Sequence, residues 1–136
     1  MSAESDRTEC ARAVVKSFYE GAARGHITDF ADSLDENFTL LVPDYLPWGG
    51  TYDKAGYVSI LPRVDESLDF ARMNYESLTA EGGHVVALIV IAVRGTDDSI
   101  VISEHWDVGE NGKARRLRVV YFDARPLLNP QARLSG

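Results

Sequence analysis

The hydrophobic period of this chain changes once, near residue 70, and that change limits what the chain can fold into. Before it, Ala11, Val14, Val15, Phe18, Tyr19 and Ala22 recur at the i, i+3, i+4, i+7 steps of an amphipathic helix. After it, apolar and polar residues alternate, the period of a strand. Helices are expected over residues 6–24, 28–34 and 53–67, with one strand over 38–42 among them. Four more strands are expected over 71–79, 84–94, 99–108 and 115–123. The connections AEGG, GTDD and GENGK are short and rich in Gly, Asp and Asn, as hairpins require. Helices first and a meander afterwards predict an α+β fold. A curved mixed or antiparallel sheet would wrap around three N-terminal helices, as a cone with an internal pocket. One domain over 6–124 is expected, with tails at 1–5 and 125–136.

Local signals refine this picture. Asp6 with Glu9 has capping-box spacing for the first helix, and Gly25 is placed to stop it. Pro62 should kink or shorten the third helix. The C-terminal ARPLLNPQARLSG carries two prolines and should be irregular. Between the first strand and the third helix runs PDYLPWGG, residues 43–50. Pro43 and Pro47 fix φ, and Gly49 and Gly50 permit a tight turn. A loop stiffened in this way holds Tyr45 and Trp48 at little entropic cost, at a pocket rim or as a plug for the core.

Composition narrows the partners. With a formal net charge of −7, the chain lacks the basic footprint of a nucleic-acid binder and would be repelled by an anionic membrane. The basic run KARRLR, residues 113–118, puts Arg116 and Arg118 on one strand face and reads as a solvated edge. The start MSAESDRTE has no leader pattern, and VVALIVIAV, residues 85–93, is too short for a membrane span, so a cytoplasmic protein is expected. The one cysteine, Cys10, has nothing basic beside it to activate a thiol. His26, His84 and His105 show no ligand spacing, so no metal is expected; no phosphate loop or nucleophile elbow occurs, and no cofactor is expected.

The strand at 99–108 carries the chemistry. One face holds Ile100, Ile102, Glu104, Trp106 and Val108. A lone carboxylate among apolar neighbours has its ionised form disfavoured, which makes an acid/base group near neutral pH. The alternative is a structural ion pair with Arg63, Arg72 or Arg94. In the last strand Leu117, Val119, Tyr121 and Asp123 share a face, so Tyr121 and Asp123 approach the pocket mouth, unless Asp123 caps the turn that follows.

Three stretches occur in order over most of residues 10–124: VVKSFYEGAARGHITDFADSLDENFTLLVP, PWGGTYDKAGYVSIL and SEHWDVGENGKARRLRVVYFD. With them the chain resembles the nuclear transport factor two superfamily, in its SnoaL-like and ketosteroid-isomerase-like branch. The resemblance implies the cone fold, and a pocket that serves isomerases, dehydratases, cyclases, epoxide hydrolases or non-enzymatic binding domains. In ketosteroid isomerase a tyrosine of the first helix donates to an oxyanion; its place here is Phe18, with Tyr19 adjacent. The base aspartate there precedes a proline, whereas here Val42 precedes Pro43 and the acid follows as Asp44. The strand motif of acid, histidine and aromatic is matched by Glu104, His105 and Trp106.

Two functional readings follow. In one, Glu104 performs acid/base chemistry on a small, largely apolar molecule, as an isomerase, cyclase or lyase. Tyr19, Tyr121, Asp123 or Asp44 would assist it, and Phe18, Val42, Tyr45, Trp48, Tyr57 and Trp106 would form the walls. In the other, the same fold binds a ligand or dimerises without catalysis. The mixed outer sheet face, with Val101, His105, Val120 and Phe122, predicts a homodimer.

Overall fold

The computed structural model describes residues 3–128. Helix α1 spans Ala3–Ala23 and is followed by a 3-10 turn, Asp29–Ser33. Strand β1, Leu34–Val42, and β2, Gly50–Asp53, precede helix α2, Lys54–Ser67. Strands β3, Leu68–Glu81, β4, His84–Val93, β5, Ser99–Val108, and β6, Ala114–Tyr121, complete one sheet. A short helix α3, Arg125–Leu128, follows. The strand order is β2-β1-β6-β5-β4-β3. All pairs are antiparallel except β1 with β6, so the sheet is mixed. No helix among the described residues is long and apolar enough to cross a membrane.

Several boundaries differ from expectation, each for a physical reason. Helix α1 begins at Ala3, so Asp6 lies inside it and does not cap it. Its first turns dock on the β3–β4 hairpin, where Gly82 N donates to Thr8 Oγ1 at 2.8 Å. Gly25, at φ 86°, ends the helical segment as expected, in the left-handed region that glycine adopts without strain. Pro62 does not shorten α2, which runs on to Ser67. It sits on the exposed side, where water can satisfy the carbonyl that loses its donor. Asp53 caps α2 by accepting from Gly56 N at 2.7 Å. The tail is not irregular throughout: α3 occupies 125–128, and residues 129–136 lie outside the described residues.

Strand β2 escapes sequence pattern because it has only four residues. It pairs with the end of β1, Val42 opposite Gly50, so residues 43–49 of PDYLPWGG are the loop of a hairpin. Four register shifts interrupt the sheet among the described residues, and the two largest curve it most. Between Asp69 and Met73, β3 advances four residues while β4 advances one, from Ala92 to Ile91. Between Leu34 and Thr39, β1 likewise outruns β6. Such bulges bend a strand and raise its twist. The bent sheet presents an inner face to α1 and α2, and its core runs from Ala11 and Val15 to Leu34, Leu68, Ile89 and Leu117.

Candidate functional site

Glu104 sits midway along β5, across from Ala87 of β4 and Val119 of β6. Strand alternation turns its side chain inward with Ile102 and Trp106, as expected. Its partner is not an arginine. Arg72 pairs with Asp69, Arg94 with Asp65 and Asp69, and Arg63 is exposed. Instead Tyr19, one helical turn and more before the end of α1, donates its hydroxyl to Glu104 Oε1 at 2.5 Å. Trp106 Nε1 in turn donates to the Tyr19 oxygen at 2.8 Å. An indole N–H can only donate, so Tyr19 accepts there and its single proton is committed to Glu104. The relay therefore has one direction, from Trp106 through Tyr19 to the carboxylate. Phe18 packs on Trp106, and Tyr75 meets Tyr19 edge-on, which holds both rings in place.

Burial dominates the electrostatics. It pushes the Glu104 carboxyl up to about 7, and the Tyr19 hydrogen bond pulls it only partly back. Burial, then the nearby Glu104 charge, also holds the Tyr19 and Tyr57 hydroxyls well above their usual range. Tyr121 rises for the same two reasons. The tyrosines around Glu104 thus stay neutral while the carboxyl titrates.

These groups line a cavity of about 60 Å³ between the inner sheet face, α1 and α2. Of the expected site residues, Glu104 and Tyr19 line it together, and so do the expected wall residues Phe18, Val42, Trp48, Tyr57, Trp106 and Tyr121. Three do not. Asp44 and Tyr45 are exposed in the β1–β2 loop, Tyr45 by 57%, and neither reaches the cavity. The loop turns at Pro43, whose carbonyl accepts from Leu46 N at 3.2 Å, and this swings both side chains outward. Trp48 alone enters, 3% exposed, and it both plugs the core and forms cavity wall. Asp123 also stays outside: β6 ends at Tyr121, and alternation lapses there. Its carboxylate accepts from Arg125 N at 3.1 Å and pairs with the Arg125 guanidinium, which holds it down at about 2. It caps the turn, the second of the two roles its position allowed.

Phe30 and Phe70 line the cavity and were not legible. Phe30 lies in the 3-10 turn and Phe70 in the β3 bulge, where neither helical nor strand period applies. Glu104 Oε2 is different: no partner for it occurs among the described residues, nor is it sealed from the cavity. A carboxyl fixed through one oxygen and open through the other can accept or deliver a proton in that space.

No protein-family model and no curated protein sequence matches the chain. Solved structures do. An NTF2-like protein from Burkholderia xenovorans superposes with a TM-score of 0.68 at 20% identity, over 95% of this chain and 98% of that one. An NTF2-like protein from Anabaena variabilis gives 0.70 at 23% identity, over 90% and 95%. A steroid delta-isomerase from Pseudomonas aeruginosa gives 0.70 at 16% identity, over 93% and 92%. Identities this low carry the architecture and not the chemistry, and the chain has the cone-like α+β fold of the nuclear transport factor two-like proteins.

Proposed function

We propose that the cavity performs acid/base chemistry on a small, largely apolar molecule, with Glu104 as the proton carrier. The observation behind this is the half-committed carboxyl: Oε1 held by Tyr19, Oε2 open to the cavity. Near pH 7 both protonation states are populated, the condition for shuttling a proton. Glu104 would take a proton from a carbon beside a C=O or C=N group. The C–H electron pair moves into the conjugated system, and the proton returns from Oε2 to another carbon. Nothing is gained or lost, so the reaction is an isomerisation. The Tyr121 hydroxyl lines the same cavity and stays protonated, available to donate to a substrate heteroatom.

The cavity volume of about 60 Å³ fits a molecule of a few heavy atoms, since one water needs about 10–15 Å³ of such space. Hydrogen–deuterium exchange at carbon, followed by NMR in D2O over a panel of small ketones and iminium salts, tests the reading. Exchange should rise through a midpoint near pH 7 and fall roughly 100-fold in Glu104→Gln. Equal exchange by the wild type and the variant would refute the assignment.

A second reading, ligand binding without turnover, is favoured by one fact: with Asp44 and Asp123 outside, Glu104 is the one carboxylate lining the cavity among the described residues. Binding of a panel member with no exchange in it would select this reading. For either reading we further propose a homodimer formed through the outer sheet face.

A further inference from the structure

We propose that the ligand this cavity selects carries a positive charge, a small protonated amine or iminium group seated on Glu104. The inference rests on the reading of the cavity as the functional site and narrows its ligand class. Four observations support it. First, Glu104 Oε2 offers an acceptor with no donor opposite it among the described residues. Second, among the described residues no lysine, arginine or histidine lines the cavity to neutralise the carboxylate. Third, about half of the other lining residues are aromatic, including Phe18, Trp48, Tyr57, Trp106 and Tyr121. The faces of such rings carry the negative end of a quadrupole and attract cations. Fourth, the formal net charge of −7 draws cations toward the protein and repels anions.

Other ligand classes fit less well. A hydrocarbon would leave the carboxyl unanswered. An anion would meet a carboxylate with no counter-charge among the described lining residues. A neutral carbonyl could accept from Tyr121 or from protonated Glu104, but above about pH 7 it would leave the ionised carboxylate unanswered. A cation holds Glu104 ionised and so should drive out its proton. The groups facing Glu104 are Tyr19 from α1, Tyr57 from α2, Tyr75 from β3 and Tyr121 from β6, all with hydroxyls shifted upward, so the released proton has one source.

Isopropylamine, 2-propanol and acetate have the same number of heavy atoms and differ in charge, which makes them a matched set. Binding to the full chain is measured by NMR titration at pH 8 and by calorimetry at pH 6 and pH 8 in buffers of different ionisation enthalpy. Isopropylammonium should bind at least about tenfold tighter than 2-propanol, with acetate weakest, and Glu104→Gln should narrow the amine–alcohol gap to about twofold. Amine binding to the wild type should release about nine-tenths of a proton at pH 6 and about one-tenth at pH 8, as follows from a carboxyl near 7. The proton count keeps the test decisive if the variant does not fold. Equal or tighter binding of the alcohol, or no proton release at pH 6, overturns the inference. Should small ketones still undergo Glu104-dependent exchange in that case, the acid/base function stands and only the charge preference falls.

Discussion

At the scale of the residue, Glu104 is a stability liability as well as a candidate proton carrier. Its carboxyl moves from 4.5 to about 7 on folding, chiefly through burial. The folded protein therefore holds this proton more tightly than the unfolded chain does. The raised value contributes no penalty below about pH 4.5, where both states are protonated. As pH rises toward 7 the unfolded chain releases its proton first and stability falls. Above about 7 the loss is complete, and at about 1.4 kcal/mol per pH unit it totals roughly 3 kcal/mol. Glu104→Gln keeps an acceptor for Tyr19 and carries no charge. It should be more stable than the wild type by up to roughly 3 kcal/mol at pH 8 and nearly equal to it at pH 4. Urea denaturation across that range measures the difference, and a constant gap, or none, would show that Glu104 is not desolvated. The residue was legible because a strand's period assigns its face without knowledge of the neighbours, and a helix's period does the same for Tyr19. Asp44 was misplaced, and Asp123 was left between two roles, for the converse reason. Both lie just past a strand end, where orientation depends on local turn hydrogen bonds rather than on a repeat.

At the scale of the element, the β1–β2 hairpin shows how a loop can be specified by close approach. Gly50, at φ 128°, occupies a conformation that side chains resist. Gly49 has no positive φ, but a Cβ there would come within 2.3 Å of the Pro43 carbonyl oxygen and 2.8 Å of Asp44 backbone atoms. Those are backbone atoms of the same tight loop and cannot rotate aside. Gly49→Ala should therefore cost more than about 1 kcal/mol and displace Trp48 from the cavity wall. Thermal unfolding reads the first effect, and the near-ultraviolet circular dichroism of the tryptophans reads the second. An unchanged melting temperature would mean that the loop backbone gives way more easily than its packing implies. The loop's proline and glycine content announced a rigid turn. It could not announce β2, because four residues carry too little alternation to register as a strand. The bulge in β3 was hidden in the same way, and with it Phe70 of the cavity wall, since an inserted residue inverts the pattern that reveals a strand. Long regular elements were therefore legible, and the irregularities that shape the cavity were not.

At the scale of the whole molecule, an open sheet must dispose of its edges and of its outer face. The edges are β2 and β3. The first is very short, and the second is interrupted by register shifts and carries exposed Arg72, Glu76 and Glu81, features that discourage edge-to-edge pairing. The outer face has no such protection. Phe122 is 65% exposed, Val120 48% and Leu41 38%. Register places Val120 beside Ser103, which faces Leu88, while Val101 faces Val90, so half-buried apolar residues continue the patch across three strands. Charged groups flank it, with Asp107 held between His84 and Arg116 and with Arg118 beside His105. An apolar centre with charged flanks of both signs can serve itself across a two-fold axis, the commonest arrangement of soluble homo-oligomers. The chain should therefore run at twice its monomer mass in light scattering at micromolar concentration. Phe122→Asp and Val120→Asp, both at exposed positions, should each shift it toward monomer while leaving the cavity and the Glu104 titration intact. A wild-type monomer would refute the dimer, and a dimer unaffected by either substitution would place the contact on another surface.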